Sequence, residues 1–325
     1  MNQPRIVLIG GGTGSFTLLQ GLKEWTPNIS AIVNMSDDGG SSGELRDELG
    51  VLPPGDIRQC LVALSNSKQT RDLFSYRFAN GKLDGHPVGN IILSALELQT
   101  GSFAQAVAIV SDFMQITGQV IPVSTNKHKL VMIDDNKTIT GENNIGKHKI
   151  TDRDAKLVLR PKAAINPKAA EAIQKADLVV IAPGNLYCSI LPALCVRGMP
   201  EELNNTKAKV VMVANLINKP LHTNNWHVVD YLDKIEEYSG KQSIDYVLCN
   251  FKLPDASLLE KYSEEGEYPV RIEAKRLREV RTKIIGGDFL GSKIFHQDPN
   301  DRLTKRTLIR HDADKVVRHL KKIIS

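Results

Sequence analysis

The chain has 325 residues, of which 41% are hydrophobic, 5% aromatic and 24% charged, so it is long enough for a full α/β core and unremarkable in composition for a soluble protein. The net charge of +5 is uneven: residues 271–325 hold fifteen Lys/Arg against seven Asp/Glu, leaving 27 against 30 before them. A basic tail without aromatic interleaving or zinc spacing reads as a solvated face and disfavours nucleic acid.

The first element is Ile6-Val-Leu-Ile followed by Gly10-Gly11-Gly12-Thr13-Gly14-Ser15, a buried parallel strand turning into a helix whose Phe16, Leu18, Leu19 and Leu22 share one face. Glycines bring the backbone close to a ligand, and the first helical turn presents unpaired N–H groups, a combination that favours phosphate. A second strand, residues 29–33, ends at Asn34 and feeds Asp37-Asp38-Gly39-Gly40-Ser41-Ser42-Gly43. Carboxylates beside N–H groups and hydroxyls suit a diphosphate if Mg²⁺ lies between them. The phosphate is therefore expected between the triple glycine and the aspartate pair, where the first two strands end.

Pro53-Pro-Gly55-Asp56-Ile-Arg58 opens a helix running to about residue 65, with Asp56 either its N-cap or a catalytic group. Arg46 and Arg58 sit in a glycine-bearing loop or first turn, where an arginine fork suits a diphosphate; a plain surface role is the alternative for Arg46. Gly85-His86-Pro-Val-Gly-Asn90 leads into a helix over residues 91–98, with Asn90 a cap or a ligand contact and His86 structural by default. Another helix covers residues 104–116. Residues 118–160 then alternate or run apolar at Val120, Lys129 and Lys156, which predicts a small antiparallel insertion of three or four strands.

Parallel winding resumes with a helix from Pro167, capped by Asn166, and a strand over residues 177–182 ending in the loop Pro183-Gly184-Asn185. Strands at residues 209–215 and 245–250 finish on Asn215 and Asn250, as the second finished on Asn34; these amides face a ligand or serve the turn. Asp312 caps a final basic helix. No repeat or linker divides the chain, so residues 1–325 read as one α/β domain whose mainly parallel sheet carries helices on both faces.

Three familiar readings fail. There is no Lys for a Walker loop, Ser15 stands where a dinucleotide fingerprint needs its third glycine, and no nucleophile elbow is evident near the serines. The four cysteines form no C-x-x-C pair, the N-terminus shows no signal-peptide pattern, and no apolar run could span a bilayer. A cytoplasmic protein without membrane contact is expected.

Gly10-Gly-Gly-Thr-Gly14, Asp37-Asp-Gly-Gly-Ser-Ser-Gly43, Pro53-Pro-Gly-Asp-Ile-Arg58, Gly89-Asn90, Pro183-Gly-Asn-Leu-Tyr187 and Leu308-Ile-Arg-His311, in that order, resemble the CofD-like family. That family includes the 2-phospho-L-lactate transferases and the YvcK branch, called gluconeogenesis factors; the blocks are closer to the latter. The resemblance implies a modified Rossmann fold binding a nucleotide sugar such as UDP-N-acetylglucosamine, in a regulatory role in cell shape, envelope synthesis and gluconeogenic carbon use. Tyr262 and Arg310 match positions of the nucleotide-sugar site. In the transferase branch the aspartates match metal and catalytic positions, so Asp37 and Asp38 carry Mg²⁺ and catalysis only if a nucleoside-diphosphate-linked donor is used. A homo-oligomer, in the simplest case a dimer, is a further expectation. The chain departs from the family pattern after Asn215 and at residues 289–305, which read as an insertion.

Overall fold

In the computed structural model, which describes residues 3–291 and 308–324, the strands are β1 (Ile6–Gly10), β2 (Ile29–Val33), β3 (Gln119–Pro122), β4 (Lys129–Asp134), β5 (Lys137–Thr140), β6 (Lys156–Arg160), β7 (Leu178–Ile181), β8 (Lys209–Val213), β9 (Tyr246–Asn250) and β10 (Lys283–Gly287). Seven form one parallel sheet in the order β10-β9-β8-β7-β1-β2-β3, and β5-β4-β6 form a separate antiparallel sheet. Every residue of β1 and β7 is buried, so helices cover both faces, as continuous apolar runs require of a parallel sheet.

The chain leaves β1 toward β2 and β3, then returns to the other side of β1 as β7 and proceeds outward through β8, β9 and β10. The winding therefore reverses between β1 and β7, where an open parallel sheet leaves a crevice beyond its carboxyl ends. Ile9 pairs with Ile32 and Ile181, which sets the loops after β1, β2 and β7 level at that edge.

Two elements differ from the sequence reading. Val120-Ile-Pro joins the main sheet in parallel beside β2 rather than the insertion, because its apolar run is buried against the helix Gly55–Leu64. Strand β10 has no counterpart in the sequence reading; it is an edge strand that, among the described residues, pairs with β9 alone. The extra segment expected over residues 289–305 lies, from 292 on, outside the described residues. Caps follow expectation at two helices: Asn166 accepts the Lys168 N–H at 3.1 Å and Asp312 the Lys315 N–H at 3.0 Å.

Candidate functional site

The helix Gly12–Leu22 starts directly beneath β1, and its first turn faces the loop after β7. Gly12 has a φ of +67°, and a Cβ on Gly14 would run into the Pro183 carbonyl. The glycines thus serve close approach between a helix start and a neighbouring strand end. The crevice beside them is a cleft of about 230 Å³, lined by Gly11, Gly12, Thr13 and Gly14, by Gly184 and Asn185, by Asn215 and the apolar Leu216 and Ile217, and by Tyr262 and Arg310. It sits on the β7 side of β1, whereas the sequence pointed to the β2 side.

Several of these groups hold the walls rather than project into the space. Asn215 donates to the Gly184 carbonyl at 2.7 Å and accepts its N–H at 3.4 Å, clamping the loops after β7 and β8 together. Asn185 accepts the Cys188 N–H at 3.3 Å. Asn34 donates to the Cys188 carbonyl at 3.2 Å and accepts the Ser36 N–H, and Asn250 accepts the Phe289 N–H at 2.9 Å. The three strand-end asparagines are therefore loop clamps. The Tyr262 hydroxyl accepts the N–H groups of Leu308 and Ile309 at 2.9 and 3.2 Å and so ties down the segment that carries Arg310 to the cleft. Burial pushes His311 down to about 4, and its neutral ring donates from Nε2 to the Ala214 carbonyl.

The remaining predicted residues cluster on the other side of the glycine loop. Asp56 is not an N-cap, since Pro54 precedes the helix Gly55–Leu64; instead its carboxylate accepts the Gly12 N–H at 3.0 Å. The aspartate pair is split. Asp37 turns inward and accepts the Gly39 N–H at 3.0 Å, while Asp38 accepts the N–H groups of Glu142 and Asn143 at 3.0 and 2.6 Å, holding the start of the helix Glu142–Lys147 of the insertion. Arg46 lies 3.6 Å from Asp38 and pairs with Asp47 at 2.7 Å. A Cβ on Gly55 would collide with Ser42 Oγ and Asp37 Oδ2, so this loop packs straight onto the helix backbone; Gly39 and Gly40 form the turn above it. Arg58 is buried and donates to Asn90 at 3.0 Å; Asn90, two residues inside its helix, donates in turn to Ser41 Oγ at 3.0 Å.

Among the described residues no three His, Cys, Asp or Glu side chains are arranged to hold a metal. Asp38 gives one oxygen to each of two N–H groups of the insertion while Asp37 accepts the Gly39 N–H, so the two carboxylates serve different segments.

The family model described as 2-phospho-L-lactate transferase CofD matches residues 6–290. The chain belongs to the CofD family. A Thermotoga maritima protein named putative gluconeogenesis factor is 38% identical, with 98% of this chain and 99% of that one aligned. A Bacillus subtilis protein named gluconeogenesis factor is 36% identical over 97% of this chain and 96% of its own. The crystal structure of a UPF0052 family member from Bacillus halodurans has a TM-score of 0.89 at 34% identity, covering 99% of each chain.

In this CofD-family chain two further residues stand beside the predicted set. His86 is structural, as the sequence suggests: its Nδ1 lies 2.9 Å from Ser41 Oγ and its Nε2 3.2 Å from Glu44 Oε2, extending the Arg58–Asn90–Ser41 chain of hydrogen bonds. The signal available was Ser41-x-x-Glu44 opening a helix, though pairing with His86 is a tertiary event. Glu142 comes from the insertion, whose β-rich pattern masked a helix. Its carboxyl is pushed up to about 8 by burial and by Asp37, and Asp56 is pushed up to about 7 by burial and Asp37 against the opposing Gly12 N–H and Arg58.

These shifts fix a sign. From about pH 4 to pH 8 the native chain holds a proton on Glu142 that the unfolded chain has lost, so stability falls as pH rises through that window. Glu142→Gln is expected to stabilise the protein by about 1–2 kcal/mol at pH 9 and to be nearly neutral at pH 4. Thermal melts of both proteins at the two pH values check this; an equal shift at both would show that Glu142 is not held protonated.

Proposed function

We propose that this chain binds a nucleotide sugar, with UDP-N-acetylglucosamine the leading candidate, and acts as a regulator of gluconeogenic carbon use and envelope synthesis in the cytoplasm. The observation that carries the reading is the cleft at the reversal between β1 and β7, where a glycine-bounded helix start, Arg310 and an apolar strip meet in one space. The N–H groups of the first helical turn and the Arg310 guanidinium suit a diphosphate, which is anionic and accepts hydrogen bonds from both. Leu216 and Ile217 offer an apolar wall for a base. The names of the Thermotoga and Bacillus subtilis relatives support the gluconeogenic role.

The alternative is transfer from a nucleoside-diphosphate-linked donor, favoured by the family description as a transferase. It would hold the donor in the same cleft and take the acceptor from across the glycine loop, where Asp37 or Asp56 would accept a proton from the acceptor hydroxyl. Burial raises the carboxyls of both, that of Asp56 to about 7, where a carboxylate works as a base near neutral pH.

A thermal-shift panel of UDP-, GDP- and ADP-sugars with and without Mg²⁺ separates these. At a hundredfold excess over Kd a bound ligand adds about 2.7 kcal/mol, a rise of several degrees for a chain of this size. Stabilisation by a UDP-sugar that phosphorus NMR shows intact after overnight incubation supports binding alone, and release of UMP or GMP with an acceptor supports transfer. A melting temperature indifferent to every nucleotide would end both.

A further inference from the structure

Lys219 and Glu267 line the same cleft as Arg310, and neither is needed to hold a diphosphate. Each stands on a fixed frame. The Lys219 N–H donates to Thr223 Oγ1 at 2.9 Å and its carbonyl accepts the Thr223 N–H at 2.8 Å, closing a tight turn. Glu267 follows the helix Ala256–Glu264, and its N–H donates to the Tyr262 carbonyl at 2.9 Å. Tyr262 therefore places Glu267 as well as the segment that carries Arg310, which its hydroxyl holds. Lys219 Nζ and Glu267 Oε1 meet at 2.6 Å, with the lysine side chain 35% exposed and the glutamate 10%.

The ion pair is not what joins its two segments. The Asn218 N–H donates to the Tyr268 carbonyl at 2.8 Å and the Val270 N–H to the Leu216 carbonyl at 3.1 Å, so a backbone ladder already does so. A pair whose lysine is part-exposed adds little to that. Its effect is on charge: a carboxylate in a diphosphate cleft repels the ligand unless a cation offsets it. Lys219 supplies the cation and takes one oxygen, leaving Glu267 Oε2 without a partner among the described residues. Dinucleotide-binding sheets place such a carboxylate beyond their second strand to hold a ribose hydroxyl. This chain has Asn34 there, turned to the Cys188 carbonyl.

We infer that Glu267 recognises a vicinal diol of the ligand, with Lys219 as its positioning residue, an inference that rests on the cleft being a nucleotide-sugar site. The carboxylate accepts the sugar hydroxyls through charge-assisted hydrogen bonds, while Arg310 serves the phosphates. Ribose and a hexose both offer a diol.

Isothermal titration calorimetry of the full chain with UDP, 2′-deoxy-UDP and UDP-N-acetylglucosamine tests this and separates the two sources. If the ribose is read, the wild type binds UDP about tenfold or more tighter than its deoxy form, and Glu267→Gln largely removes the difference. If the hexose is read, those two bind alike, UDP-N-acetylglucosamine exceeds UDP by about that factor, and Glu267→Gln removes that gain. Lys219→Met should narrow the same preference and Lys219→Arg restore most of it. Inorganic pyrophosphate, which has no diol, should bind Glu267→Gln at least as tightly as the wild type; an equal loss there would show that the pair only shapes the cleft, and would overturn the inference. So would a wild type that binds nucleotides with neither preference, or a preference that Glu267→Gln leaves intact. A wild type that binds no nucleotide at all fails the cleft itself, and the inference with it.

Discussion

Gly14→Val is expected to cost more than about 3 kcal/mol of stability and to abolish nucleotide binding, because the new side chain would occupy the position of the Pro183 carbonyl. Relief requires the helix Gly12–Leu22 or the loop after β7 to move. Leu18, Leu19 and Leu22 of that helix are fully buried, and the loop is clamped through Gly184 by Asn215. Either movement opens the junction that forms one wall of the cleft. Gly12→Ala is the contrasting case: a Cβ there meets nothing within 4 Å, and only the φ of +67° opposes it. A cost of about 1–2 kcal/mol follows from the left-handed backbone alone. Urea unfolding of the two variants separates collision from strain, and equal costs would show that Gly14 does not sit against Pro183.

Arg310→Ala is expected to weaken UDP-N-acetylglucosamine binding by about 10–100-fold, the loss of roughly 1.5–3 kcal/mol from a charge-assisted hydrogen bond to phosphate. Apo stability should change far less, since the surrounding segment is held by other groups: the Tyr262 hydroxyl on Leu308 and Ile309, His311 on Ala214, and the Asp312 N–H donating to Phe289. Isothermal titration calorimetry reads the affinity and a thermal melt the stability. Tyr262→Phe provides a separation. It leaves the guanidinium in place but frees its segment, so it should weaken binding by less than Arg310→Ala while lowering the melting temperature more. Unchanged affinity in the Arg310 variant would remove that residue from ligand recognition.

The parallel winding was legible in the sequence because β1, β2, β7, β8 and β9 are apolar runs bounded by glycine, asparagine or a cap, and their limits fall within two residues of expectation. The order of strands was not. Nothing in Leu178-Val-Val-Ile says that it pairs with β1 instead of β3, yet that pairing places the cleft on the far side of the glycine loop from the aspartates. Residue types marked the loops at the carboxyl edge of the sheet and left their partners open. An aspartate before a glycine turn suits a cation or a helix start equally, and only the fold reveals that Asp38 faces Glu142 and Asn143. Asparagine at a strand end is ambiguous for the same reason: its amide is matched to any passing backbone, and here the passing backbone is a neighbouring loop. Glu142 was invisible, and the partners of His86 open, because both depend on contacts more than forty residues away in the chain.

A crystal structure of the chain soaked with UDP-N-acetylglucosamine addresses the binding claim most directly. Density for a diphosphate against the N–H groups of Thr13 and Gly14 and the Arg310 guanidinium, with the uracil on Leu216 and Ile217, is the expected result. A nucleotide bound on the Asp37 side of the glycine loop, or a cleft that stays empty at saturating ligand, would contradict it.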